Sequence, residues 1–175
     1  LLSLFVACEK SIDPFMISSN SVGFLTDSTM IKELKTVFIN DSLSKYIGGD
    51  EFTGTTNTIS VYEKTSGILL LELDPNYSLD SLSTIRTIRI MDSRFKNKDG
   101  INRLSSFGYI NSKYQISSIQ NTLRSLIISV DEINAYFTLS KTELPEEMRY
   151  NMNTKIEPIS IPEAAKIKDF YLKWY

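Results

Sequence analysis

Six short segments with strand patterning, in two groups of three, constrain this chain more than any other feature. The first group is TISVYEK (58–64), GILLLELD (67–74) and STIRTIRIM (83–91). The second is SLIISVD (125–131), NAYFTLS (134–140) and the closing KIKDFYLKWY (166–175). Each is rich in β-branched, aliphatic or aromatic residues, the composition expected of strands. Leu69, Leu71 and Leu73 share one face, as do Ala135, Phe137 and Leu139. Phe170, Leu172 and Trp174 alternate with Tyr171, Lys173 and Tyr175, the pattern of a half-buried strand. Thr65-Ser66-Gly67 joins the first two segments as a hairpin turn.

A helical stretch precedes each group. Met30, Ile31, Leu34, Val37 and Phe38 fall on one helical face, which predicts a helix capped by Ser28 or Thr29 and running to about Phe38. Phe107, Ile110 and Tyr114 mark the second helix, which Gly108 weakens by up to about 1 kcal/mol. Polar Asn40 to Gly54 and Pro75 to Leu82 read as loops.

The order predicts an α+β protein made of two αβββ repeats, residues 17–92 and 93–175, in one compact unit. Gly23 corresponds to Gly100, Leu34 and Phe38 to Ile110 and Tyr114, and Ile85–Ile90 to Ile167–Leu172. The competing explanation is that amphipathic halves look alike without common descent. In the repeat reading one antiparallel sheet carries the helices on one face and leaves the other open. Tyr136, Tyr171 and Tyr175 stand opposite the core-facing residues and form the candidate binding face, suited to protein or glycan contact. Scattered surface tyrosines are the plainer alternative. Arg86 and Arg89 are expected to pair with acids on neighbouring strands.

Composition removes many activities. There is no histidine among the 175 residues, so Ser-His-Asp and Cys-His catalysis and histidine metal sites are excluded. One cysteine forms no intramolecular disulfide. Nineteen basic against 21 acidic residues, a net charge of −2, leave no basic excess for nucleic acid. No Walker loop, dinucleotide fingerprint or nucleophile elbow occurs, and no cofactor is implied. Asp50-Glu51 beside Gly48-Gly49 is the best cation candidate, but it lacks a ligand ladder, so no metal is expected. Glu146-Glu147 is the best carboxylate pair, but adjacent residues in a helical turn point apart. No catalytic residue is assigned.

At the N-terminus, Leu4-Phe5-Val6-Ala7-Cys8 resembles a bacterial lipobox, where a precursor is lipidated on cysteine and cleaved before it. Phe5 departs from the usual Leu; the alternative is a buried cysteine in a first strand. The resemblance implies that residues 1–7 are a signal remnant, Cys8 the lipidation site and residues 8–16 a tether, with acyl chains holding the protein to the membrane. Glu9 resembles the residue following cysteine in lipoproteins that leave the inner membrane, implying an outer-membrane location. Arg94-Phe95-Lys96-Asn97-Lys98-Asp99-Gly100-Ile101, with Ser105 and Ser106, resembles a junction in uncharacterised Bacteroidota lipoproteins, where Arg103 replaces a frequent second glycine. The duplicated layout is similar to the β-lactamase-inhibitor-like fold. Asp27-Ser28-Thr29, Asp41-Ser42-Leu43 and Asp80-Ser81-Leu82 resemble O-glycosylation sites of exported Bacteroidota proteins, and are equally ordinary caps and turns. The function expected is a non-catalytic envelope lipoprotein that binds an envelope protein or glycan through its open sheet face. The alternatives are an inhibitor of an envelope hydrolase and a carboxylate or Ser-Lys hydrolase.

Overall fold

The computed structural model describes residues 12–45, 58–77, 80–150 and 154–175. In chain order the short strands β1 (Met16–Ile17), β2 (Ser21–Val22) and β3 (Leu25–Thr26) lead into helix α1 (Leu34–Val37). Four strands follow: β4 (Asp41–Lys45), β5 (Ile59–Glu63), β6 (Leu69–Pro75) and β7 (Ile85–Ile90). After β8 (Lys96–Asn97) come helix α2 (Phe107–Lys113), β9 (Ser118–Asn121), β10 (Ser125–Val130) and β11 (Ala135–Ser140). Helix α3 (Glu146–Arg149) and β12 (Ile167–Lys173) complete the chain.

The longer strands form one antiparallel sheet in the order β4-β5-β6-β7-β12-β11-β10-β9. The order is palindromic. Each half enters at an edge and works inward, and β7 meets β12 at the centre. The class is therefore α+β. All three strands expected in each half are present, and each half adds a fourth at the sheet edge. The loop expected over Asn40 to Gly54 instead begins with β4, which pairs with β5 along its whole length. An edge strand buries one face and has one neighbour, so short polar sequences such as DSLSK and SIQN suffice, and such edges resist further pairing.

Backbone hydrogen bonds make the two halves equivalent. Met30 and Ser106, each just before its helical segment, bridge Thr84 and Lys166, each just before the fourth strand. Ile31 N donates to Ser83 O at 2.9 Å, and Phe107 N donates to Ala165 O at 2.8 Å. Lys32 N donates to Ser81 O at 3.0 Å, and Gly108 N donates to Glu163 O at 2.9 Å. Ile85–Ile90 and Ile167–Leu172 also share one alternation of buried and exposed residues.

A second sheet, ordered β3-β2-β1-β8, covers the large one together with α1 and α2. Ile17, Val22 and Leu25 of the small sheet, Leu34 of α1 and Ile110 of α2 pack in one cluster with Leu71, Leu73, Ile88, Ile90, Phe137 and Phe170. Phe107, Leu126, Ile128, Leu139, Leu144 and Ile161 form a second cluster beside it. Burying each large side chain contributes about 1.5–3 kcal/mol. Among the described residues, none forms a layer on the opposite face of the large sheet.

Several local expectations change. The first helix is a single α turn after a 3₁₀ turn at Ile31–Glu33. Met30, not Ser28 or Thr29, precedes it, and the Glu33 carboxylate accepts from Met30 N at 2.8 Å. Thr29 is buried and its hydroxyl accepts from Thr26 N. The face given as Leu69, Leu71 and Leu73 shifts at a bulge opposite Val61/Tyr62, which turns Leu70 inward and leaves Leu69 partly exposed. Phe15, assigned to the tether, stacks edge-on against Phe95 at 5.0 Å and belongs to the fold. Cys8, Gly48, Gly49, Asp50 and Glu51 lie outside the described residues.

Candidate functional site: the open face of the large sheet

The strand register sets one continuous row across the uncovered face: Ser44, Ser60, Glu72, Arg89, Tyr171, Tyr136, Ser129 and Ser118. Small hydroxyl residues occupy both ends and large side chains the middle. The Arg89 guanidinium donates to Glu72 at 2.9 Å and to Asp169 at 2.6 and 3.2 Å. Thr138 Oγ1 donates to the other Asp169 oxygen at 2.7 Å. The Tyr136 and Tyr171 rings stack with centroids 4.6 Å apart and planes 6° from parallel. The Arg89 guanidinium carbon stands 5.9 Å from the Tyr171 ring centre, so cation and rings form one column.

Charges on this face are tuned by their neighbours. Burial pushes Asp169 up, but hydrogen bonds from Thr138 and Arg89 outweigh it and hold the carboxyl below its usual range. Burial opposes the charge on Arg89, and its bonds to Asp169 and Glu72 more than restore it. Burial, with Tyr171 and Asp74, pushes Tyr136 up to about 12 against the pull of Arg86. Tyr171 is raised by burial and Asp169.

The large side chains end at Tyr136. Beyond it the face opens into a cavity of about 840 Å³ lined by Tyr136, Ser129, Ser118, Gln120 and Ile127, with Arg86, Lys173 and Tyr175 at one end. Tyr175 lies past the end of β12, is 95% exposed, and lines this cavity with Tyr136. Of the expected arginine pairings, Arg89 makes its own, whereas Arg86 forms no ion pair among the described residues. Nothing in the sequence pattern marks Ser129, Gln120 and Thr138. Only pairing register shows that they share a face with the tyrosines.

Other candidate chemistry is sparse. A cavity of about 310 Å³ between β1, β8 and β12 is walled by Ile17, Ile133, Phe170 and Leu172. Of its ionisable residues Lys98 and Glu132 are solvent-exposed, and Tyr114 is buried, its hydroxyl donating to Asp99 and accepting from Asn97. Glu146 and Glu147 are exposed in the first turn of α3. Among the described residues no cluster of metal-binding side chains occurs, and no helix is long and apolar enough to cross a membrane.

The molecule is thus an α+β protein with a duplicated, one-side-covered antiparallel sheet. Its fold is similar to that of the uncharacterised protein YfeY from Escherichia coli, with a TM-score of 0.58 and 16% identity over 91% of this chain and 99% of that one. No family model and no curated protein matches the chain. The comparisons indicate no enzyme family.

Proposed function

We propose that this protein is a non-catalytic binding module of the bacterial envelope, held to a membrane by lipid on Cys8 and engaging its ligand through the open sheet face. The observation that supports this most is the column of Arg89, Tyr171 and Tyr136, which stands beside a broad cavity on the uncovered face. Partly exposed tyrosines on a rigid sheet give contact area at little entropic cost, and their hydroxyls can bond. The anchor rests on the lipobox resemblance at Leu4–Cys8. The duplicated layout is consistent with the β-lactamase-inhibitor-like fold, and membership among Bacteroidota lipoproteins rests on the 94–101 junction.

Two measurements test the reading. Intact mass of protein expressed with its full signal should show a lipid-sized increment that Cys8→Ala abolishes. Immobilised protein should retain a component of solubilised envelope, and at least one of Ser60→Trp and Ser129→Trp, which block the two halves of the face, should lose it. Lys113→Ala on the helix side should retain it. Retention that survives both tryptophan variants overturns the open-face reading.

A further inference from the structure

We infer that the open face binds an acidic glycan, with one sugar ring lying against the free face of Tyr136 above Ser129. The inference rests on the open-face reading and names its ligand class.

The argument begins with spacing. The Tyr136 and Tyr171 rings are 4.6 Å apart, close to the roughly 4.8 Å between neighbouring strands. The column therefore runs across the strands, one group per strand: Arg89 on β7, Tyr171 on β12, Tyr136 on β11. One face of Tyr136 is covered by Tyr171. The other is turned toward β10, where the register places Ser129, and then toward Ser118 on β9. Neither serine rises high enough to cover a ring. The space above them is the cavity itself, about 840 Å³, floored by Ser129, Ser118 and Ile127.

A ring entering that space meets an electron-rich phenol face on one side and hydroxyl and amide groups below. A pyranose fits both. Its axial C–H bonds present a weakly positive apolar face to the aromatic quadrupole, and its equatorial hydroxyls reach Ser129, Ser118 and Gln120. Charge narrows the class further. Arg86 and Lys173 line one end of the cavity with no ion pair among the described residues, and Asp131 is the one acid lining it. Among the described lining residues two cations stand against one carboxylate, which favours an anionic substituent at the Arg86 and Lys173 end, away from Asp74, whose charge acts on Tyr136. A nucleic acid would also stack, but the chain carries a net charge of −2 and no basic stripe. A peptide anchored by one side chain needs a deep pocket, and this cavity is broad and floored by small residues.

The test is calorimetric titration with α-1,4-linked oligogalacturonate, and with maltohexaose as the neutral counterpart, at low and at physiological ionic strength. The acidic oligomer should bind and weaken with salt. Ser129→Phe should extend the column and occupy the sugar's position. It should melt at or near the wild-type temperature and bind about tenfold or more weakly. Arg86→Gln should narrow the difference between the two oligomers. Binding unchanged by Ser129→Phe, or equal binding of both oligomers, overturns the inference. So does absence of oligogalacturonate binding to the wild type. In that case the open-face reading stands or falls separately, on whether Ser60→Trp or Ser129→Trp abolishes envelope retention.

Discussion

Gly108 stands in the first turn of α2, where helix propensity favours alanine by about 1 kcal/mol. The fold reverses that sign. A Cβ at this position would lie 2.7 Å from Glu163 Cβ, 2.8 Å from Glu163 O and 2.9 Å from Glu163 Cα. These atoms belong to or adjoin the backbone and have no rotamer into which to retreat. The approach is close because Phe107 N and Gly108 N donate to Ala165 O and Glu163 O, which ties α2 to the segment entering β12. Relieving the clash moves that segment away by about half an ångström or more, and each of the two bonds contributes about 1 kcal/mol. Overpacking beside buried Phe107 and Ala165 adds about 1–3 kcal/mol. After the propensity gain, Gly108→Ala should destabilise by about 2–4 kcal/mol. That corresponds to a fall in melting temperature of about 4–16 °C for a chain of this size. Thermal and urea melts followed by circular dichroism measure it. Asn111→Ala, on the exposed side of the same helix, should gain a few tenths of a kcal/mol. A Gly108→Ala protein as stable as wild type would refute the reasoning, since propensity would then outweigh the contact. Lys32, the equivalent residue in the first half, makes the same bond to Ser81 O from a 3₁₀ turn, so the demand for glycine belongs to α2.

Three further outcomes are expected. Asn97 is 5% exposed, accepts from Asp99 N and Ile101 N, and donates to Tyr114 OH, so Asn97→Ala should cost about 2–4 kcal/mol in urea unfolding; a cost below about 1 kcal/mol counts against a structural hub. The Asp169 carboxyl is held below its ordinary value, so its stabilisation is present above about pH 4 and lost as pH falls through the folded value. Asp169→Asn should therefore be less stable at neutral pH and flatter below pH 4, and an unchanged acid limb would contradict this. Tyr114 and Tyr136 are both pushed up to about 12, chiefly by burial, so they stabilise the fold up to about pH 10 and cease to as pH rises toward 12. Phenolate absorbance should show a late-titrating pair that loses one member in Tyr136→Phe, and a single transition near pH 10 would exclude it.

The sequence made the inner face readable and the edges not. Phe137, Phe170 and Leu172 announce themselves by alternation, because a residue facing the core must be apolar whatever its neighbours are. The same logic placed Phe107, Ile110 and Tyr114 on the buried side of α2. Edge strands β4 and β9 have one neighbour and little to bury, so Asp41–Lys45 carries the composition of a loop. The bulge at Leu70 was hidden because three successive leucines satisfy either register. The tyrosine pair was visible as outward-facing residues on separate strands. Their stacking and the serines beside them depend on which strands are neighbours, and that depends on the whole topology.

The pseudo-twofold axis of the large sheet passes between Arg89 and Tyr171, which are both register partners and equivalent positions. On the inner face, equivalents are interchangeable in kind: Leu73 matches Phe137, Ile88 matches Phe170, and Ile90 matches Leu172, all buried. On the open face the outer equivalents are serines, Ser60 with Ser129 and Ser44 with Ser118. The central ones differ outright, Glu72 against Tyr136 and Arg89 against Tyr171. Burial demands only apolar volume, so it tolerates divergence without changing character. Solvent-facing positions carry no such demand, so their difference sets what each half offers. The first half presents a charge pair that closes on itself, with Arg89 also reaching across the axis to Asp169 and fastening the halves together. The second half presents a ring column whose last face is left uncovered. A symmetric scaffold would offer two equivalent sites; with charges satisfied on one side and a ring face unsatisfied on the other, the asymmetry is what makes the proposed site single and oriented.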